Sequence, residues 1–319
     1  MPLVILTEPI KGAGQNLWPR FLTTVKKGAR YVLGRRRGPQ AVTKSLLTGL
    51  KEIGVKFLLN PGKIDDGALV YINESADALR EAINLKKKGI VSKIIAGPVI
   101  AVLPTEENGL MLDENIDLLP FPSVWTKNYW VSQAPQLADK IKIWPAGASS
   151  DCDLSQRRDL FLVYYKNGPK SQLKQIIKFL DSNNVAYKVI RYGRYRQKGY
   201  FALLARAKGM ICLSESESQG LALCEAWMHD VPTLVWNRGY WEYCGHKWFD
   251  GKISAPYLTD ECGKFFIGID DFPEKWRDFN DKIGVFKPRD YALANFTNII
   301  AAKKFVELIK ICYPDFSFV

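Results

Sequence analysis

The chain has 319 residues, enough for two domains of ordinary size, each with its own core. Its 47% hydrophobic and 24% charged residues are the balance of a soluble globular protein and exclude a disordered chain. They also exclude a bilayer-spanning one, because the greasiest stretch, residues 93–104, is interrupted by Gly97-Pro98. The net charge of +12 is unevenly spread: residues 1–60 carry eleven Lys and Arg against Glu8 and Glu52, and residues 184–210 carry seven with no acid, so an anionic partner is expected.

Met1–Ile10 has no basic leader and too short an apolar run for a signal peptide. The six cysteines form no C-x-x-C pair and, with only His229 and His246, offer no zinc spacing. Cys212 and Cys224 fall in apolar patterns as core thiols, and the expected compartment is the reducing cytoplasm.

Leu3–Thr7 reads as a first strand opening onto a turn with Gly12 and Gly14, where glycine would let a phosphate approach the backbone. A second strand is expected over 29–33, followed by Arg35-Arg36-Arg37, and a helix over 40–53 with Val42, Leu46, Leu47, Leu50 and Ile53 on one face. Strands follow over 55–59 and 68–72, a helix over 75–88 capped by Ser75, and a strand over 93–103. Residues 116–121 lead through Pro122-Ser123 into a helix over 125–138, and 141–144 closes this half. The alternation argues for a parallel doubly wound domain.

Residues 145–151, small and breaker-rich, read as a linker. A second such half follows, with strands over 160–165 and 187–190, helices over 171–180 and 199–207, and then the central unit. Gly209–Leu213 reads as a buried strand, Ser214–Gln219 as an exposed loop, Gly220 to about His229 as a helix, and Val231–Trp236 as the next strand. In such a crossover, ligands settle beyond the carboxyl ends of the strands, where Glu217 and Gly220 would lie. The helix start favours an anion such as a diphosphate, whereas Glu217 and Glu225 are acceptors suited to hydroxyl groups. A nucleotide sugar combines both. An aromatic loop over 237–242, an irregular run to Phe266, and helical patterns over 272–283 and 288–312 complete the chain.

The stretch Glu217-Ser218-Gln219-Gly220-Leu221-Ala222-Leu223-Cys224-Glu225 resembles the E-x7-E signature of retaining nucleotide-sugar glycosyltransferases with the two-domain B-type fold, most like glycosyltransferase family 4. Gln219 and Ser218 replace the usual aromatic and first glycine of that motif. The resemblance implies two Rossmann-like domains facing a central cleft: residues 1–147 on the acceptor side, 148–287 holding the donor, and 288–319 as a helix crossing back to the first domain. It implies that Glu217 bonds the donor sugar, that Glu225 bonds the ribose, and that the Gly220 and Leu221 amides face the diphosphate. Lys166 and Lys170 stand where the family places an arginine and a lysine on that diphosphate. Gly12 and Gly14 would touch the donor phosphate, and Arg191, Tyr192, Gly193 and Arg194 follow the strand beyond which the base is held. The histidine that family members often carry beside the donor sugar has no counterpart before His229.

The expected activity is therefore transfer of a hexose, with retained configuration, from a UDP-glucose- or GDP-mannose-class donor to a glycan or other hydroxyl acceptor, without a metal or further cofactor. A peripheral contact between the basic first half and an anionic membrane is a further expectation; a nucleic-acid partner is not expected. Two other readings stay open. An NADP-dependent oxidoreductase would use Gly12, Gly14 and Arg35-Arg36-Arg37, although Leu17 breaks the dinucleotide fingerprint. A non-enzymatic anion or nucleic-acid binder would use the basic first half.

Overall fold

The computed structural model describes residues 2–10, 38–149, 152, 154–314 and 316. Gly12, Gly14, the strand expected over 29–33 and Arg35-Arg36-Arg37 lie outside these residues. The chain divides into two compact units, one built from the early residues to Gly147 together with those from Asn298 onward, the other from Ala148–Thr297.

In the first unit, β1 (Leu3–Leu6), β2 (Leu58–Leu59), β3 (Ala68–Ile72) and β4 (Val91–Ala96) form a parallel sheet in the order β2-β1-β3-β4. The strands β5 (Leu119–Phe121) and β6 (Ile141–Ile143) pair in parallel, and β5 joins β4 through the Ile95–Leu118 bridge. Every residue of β1 and β3 is buried, as apolar runs in a sheet covered on both faces require. The unit's helices include α1 (Gly38–Glu52), α2 (Ala76–Lys87) and α3 (Val124–Gln133). Ser75 caps α2 by accepting from the Ala78 amide at 3.2 Å.

Three segments are shorter than the apolar pattern suggests. The run over 93–103 leaves the sheet after Ala96, because Gly97 adopts φ 104° and Pro98 has no N–H for a ladder. Of 55–59 only Leu58–Leu59 pairs, with β1. The helix expected to run to 138 gives way at Pro135 to a 3-10 turn.

In the second unit, β7 (Leu160–Tyr165), β8 (Tyr187–Arg191), β9 (Ala207–Leu213), β10 (Thr233–Trp236) and β13 (Gly263–Phe266) form a parallel sheet in the order β13-β10-β9-β7-β8. Between β10 and β13 lies an antiparallel hairpin, β11 (Tyr240–Tyr243) and β12 (His246–Phe249). The period of two sorts side chains onto two cores. Leu162, Tyr164, Met210, Cys212 and Val235 face one core, shared with α5 (Gln197–Ala205) and α6 (Leu221–Met228). Phe161, Val163, Ile211, Leu213, Leu234 and Trp236 face the other, shared with α4 (Lys170–Ser182) and α7 (Phe272–Asp281).

The helical pattern over 288–312 is two helices, α8 (Pro288–Asn295) and α9 (Asn298–Cys312). α8 stays with the second unit: Tyr291 and Phe296 lie edge-on and tilted against Trp227 of α6, at centroid distances of 6.1 and 6.3 Å. α9 belongs to the first unit, where Phe305 packs between Tyr71 (4.9 Å) and Trp144 (5.2 Å) and the Trp144 indole N–H donates to Ala301 O at 2.8 Å. α1 and α9 touch at Gly49, where a Cβ would fall 2.0 Å from Asn298 O, so only glycine permits this approach.

Candidate functional site

The strand order of the second unit fixes where a ligand can enter. From β7 the chain crosses to β8 on one side and then returns past β7 to β9 on the other, so the crossovers part between β7 and β9. The carboxyl ends of those two strands border the crevice that such sheets use for ligands. β7 ends at Tyr165, and Lys166 follows; β9 ends at Leu213, and the loop to α6 follows.

Lys166 and Glu217, 51 residues apart in sequence, meet across this gap with Nζ 2.9 Å from Oε2. The backbone holds both ends: the Lys166 amide donates to Leu213 O and the Glu217 amide to Ile253 O, each at 2.9 Å. The other carboxylate oxygen, Oε1, accepts from the Ser214 hydroxyl at 2.8 Å. Burial lowers the affinity of Lys166 for its proton, but the Glu217 charge and hydrogen bond outweigh it, and its pKa is raised overall. The ammonium also lies over the Tyr192 ring, 5.2 Å from its centroid. Asn167 Oδ1 accepts from the Glu215 amide, which further ties the two loops.

Gly220 precedes α6 with φ 83°, a left-handed conformation that glycine adopts freely and that turns the loop into the helix. A Cβ there would meet Leu223 Cδ1 at 3.1 Å. The free amides of the first turn, Leu221 included, are thereby set at the carboxyl edge of the sheet. Glu225, one turn on, accepts from Gln197 Nε2 at 2.6 Å. His229 ends α6, with its Nδ1 donating to Glu225 O at 2.8 Å. Cys212 and Cys224 are buried, and burial pushes both thiols well above their ordinary range.

Lys170 is the first residue of α4 and is exposed. It lines a cavity of about 560 Å³ together with Lys166, Arg191 and Tyr192. Arg191 stacks over Tyr165 at 5.2 Å, and Gly193, with φ 74°, sits inside the turn that the Arg194 amide closes on Arg191 O at 3.0 Å. The structure thus brings Lys166, Glu217 and Tyr192 into contact, sets Lys170 and Arg191 around the same cavity, and joins Glu225 to Gln197. Gly12 and Gly14 lie outside the described residues. Among those residues, no group of three or more His, Cys, Asp or Glu could hold a metal ion, and no helix is long and apolar enough to cross a membrane.

Sequence reasoning missed Ser214, Gln197 and Lys174, the last a further residue lining the cavity beside Lys170. Ser214 had a usable signal, a small hydroxyl residue three before the glutamate at a strand end; so had Lys174, one helical turn after Lys170. Nothing in the sequence marks Gln197.

Two parallel doubly wound units, the second with its crevice at β7 and β9, make up the fold of the B-type glycosyltransferases. Solved structures show this likeness directly. The lipopolysaccharide outer core galactosyltransferase WaaB superposes with a TM-score of 0.58 at 12% identity, over 97% of this chain and 99% of its own. Sucrose-phosphate synthase from Thermosynechococcus elongatus gives 0.53 at 11%, over 98% and 100%. TarM from S. aureus, in complex with Fondaparinux, alpha-GlcNAc-glycerol and UDP, gives 0.54 at 11%, over 84% of this chain and 58% of its own. At these identities the likeness is one of fold. No family model matches the sequence, and no curated protein does.

Proposed function

We propose that the chain is a glycosyltransferase that moves a hexose from a nucleoside-diphosphate sugar of the UDP-glucose or GDP-mannose class to a hydroxyl acceptor, with retained configuration and without a metal. The observation that carries this reading is the Lys166–Glu217 pair, 2.9 Å apart, beside the first turn of α6. It sets a cation, a hydroxyl-binding carboxylate and free amides around one crevice, the three things that a sugar diphosphate asks for at once. The B-type fold, and the UDP held by TarM, support it.

In the reaction, the bond from the anomeric carbon to the diphosphate oxygen breaks and a bond to the acceptor oxygen forms on the same face. The acceptor proton passes to the departing phosphate. Lys166, Lys170 and the amides of Gly220 and Leu221 stabilise the charge that develops on the diphosphate. Glu217 orients the donor sugar, and Glu225 the ribose. Arg191, Tyr192 and Gly193 border the base; the resemblance would add Gly12 and Gly14, outside the described residues, as phosphate contacts. Free thiols at all six cysteines suit a cytoplasmic setting, and the net charge of +12 suits peripheral work at an anionic membrane.

Calorimetric titration with UDP, GDP and their sugars tests the reading. One of these nucleotides binds, and Glu217→Gln keeps nucleotide affinity while lowering sugar transfer or donor hydrolysis on the order of 100-fold. Binding of NADPH in place of every sugar nucleotide, or full activity in Glu217→Gln, overturns it.

A further inference from the structure

The greasiest stretch of the sequence does not end with the strand that it builds. β4 stops at Ala96, yet residues 97–104 stay uncharged and mostly apolar as an irregular loop at the surface. Leu103 and Pro104 turn inward and are buried, but Val99 and Val102 are 37% and 45% exposed, and Val124, the first residue of α3, is 59% exposed. A single exposed valine is ordinary. Three in one neighbourhood, on segments pinned in place, form a surface that a partner can cover.

The pinning is done by the backbone, which leaves the side chains to face outward. The Gly97 amide donates to Ile72 O at 2.8 Å and the Val99 amide to Asn73 O at 3.2 Å, so the loop starts against the carboxyl end of β3. The Val102 amide donates to Glu106 Oε2 at 2.7 Å, and Val102 O accepts from the Trp130 indole at 3.1 Å. A Cβ on Gly97 would lie 3.7 Å from Pro120 O, which sets the loop after β4 beside the segment leading from β5 to Val124. Among the described strands, the chain goes from β1 to β2 on one side and then past β1 to β3 on the other. The crevice of the first unit therefore opens between the carboxyl ends of β1 and β3, and this loop borders it.

Charge narrows the choice of partner. In a chain of net charge +12, residues 97–126 contain no Lys or Arg against Glu106, Glu107, Asp113, Glu114 and Asp117. Cations that reach this segment from elsewhere are engaged there: Arg80 by Glu107 at 2.6 Å, and Lys86 by Asp117. An anionic group, whether a sugar phosphate or a lipid headgroup, meets repulsion here. Three part-exposed valines also fall far short of a stable protein interface, which takes about 800 Å² from each partner. A short apolar chain without negative charge fits.

We propose that the loop over 97–103, with Val124, seats the apolar part of the acceptor, so that the hydroxyl receiving the sugar is carried by an uncharged molecule with an alkyl chain. The word acceptor rests on the glycosyltransferase reading; the alkyl seat rests on the first unit alone. An alkyl chain laid along the valines leaves water there, and each methylene that does so adds affinity without any polar contact.

The test uses the full chain, Val99→Ser and Val102→Ser, with hexyl β-glucoside, methyl β-glucoside, phosphatidylcholine vesicles and UDP as probes. Both substitutions fall on exposed side chains and keep the main-chain bonds of the loop, and a thermal melt checks that each variant is folded. Hexyl β-glucoside binding about tenfold or more tighter than the methyl compound, with that preference cut about threefold or more in each variant and UDP affinity unchanged, supports the seat. Equal binding of the two glucosides, binding of neither, or a preference that survives both substitutions overturns it. Valine-dependent binding of the vesicles with no preference between the glucosides overturns it too, since the loop then meets a bilayer. UDP binding without a hexyl preference removes the alkyl seat and keeps the glycosyltransferase reading. A valine-dependent hexyl preference in a chain that ignores every sugar nucleotide does the reverse.

Discussion

Each unit contains a half-buried pair of a lysine and a carboxylate, and the two pairs differ in what else they hold. In the first unit, Lys86 and Asp117 are 19% and 16% exposed; in the second, Lys166 and Glu217 are 26% and 13% exposed. Lys86 also donates to Asn115 O at 2.8 Å, and Asp117 accepts from the Ile94 amide at 2.7 Å, so that pair closes main-chain groups at the amino end of β5. Lys166 and Glu217 meet through side chains, with the Ser214 hydroxyl and the Tyr192 ring as neighbours, at the carboxyl ends of β7 and β9. Burial alone therefore does not separate a pair that closes the backbone from the pair proposed to bind the donor. The separation lies in the partners: side chains can exchange one another for a ligand without orphaning the backbone.

The contrast can be broken most forcefully by removing one partner from each pair. Asp117→Asn is expected to lower stability by about 2 kcal/mol, because it leaves a half-buried ammonium without its counter-charge. Nucleotide affinity per folded molecule should stay unchanged. Lys166→Ala should lower turnover by about 100-fold through loss of a cation at the leaving group, with a much smaller change in the denaturation midpoint. Chemical denaturation and initial rates on both variants decide the matter; an interchange of the two outcomes would erase the distinction.

A finer test concerns Ser214. Its hydroxyl fixes Oε1 of Glu217, so Ser214→Ala should raise the donor KM or lower kcat by about tenfold, and Ser214→Thr should recover most of the loss. Equal activity in the alanine variant would show that the carboxylate needs no such support.

The smallest effect is one of pH. His229 is 2% exposed, and burial lowers its pKa below the ordinary 6.5, with the charges of Arg289 and Arg158 acting in the same direction. The fold holds it neutral, so below about pH 6.5 the unfolded chain takes up a proton that the native chain refuses, and stability falls as pH drops through that value. The raised pKa of Lys166 has the opposite consequence: its contribution is complete below the ordinary lysine value and disappears only as pH rises above it. Thermal melts from pH 5 to 8, flattened by His229→Gln, would check the first statement and leave the Lys166–Glu217 pair untouched.

The parts legible in the sequence were those with sharp punctuation. β7, β9 and β10 are apolar runs bounded by charge, glycine or proline, and the strand-loop-helix order around Gly220 follows from them. The hairpin was not legible. Its turn, Cys244-Gly245, has φ of 46° and 80°, the pattern of a two-residue type I′ connection, but cysteine stands where asparagine or aspartate would announce it. β13 escaped because Gly263–Phe266 is four residues long without alternation, and the break between α8 and α9 because Phe296-Thr297 contains neither glycine nor proline. Both members of the Lys166–Glu217 pair were readable singly; their contact was not, since a sequence separation of 51 carries no record of which strands become neighbours.

Among the described residues the second unit is one uninterrupted run, whereas the first draws on both extremities of the chain. During synthesis the later unit can finish first. Until α9 emerges, the rings of Tyr71 and Trp144 have no Phe305 to cover them, and the Gly49 notch on α1 stands open. A ribosome that stalls after Thr297 would thus release a protein with its later unit complete and its earlier one exposed, a natural target for chaperones and proteases.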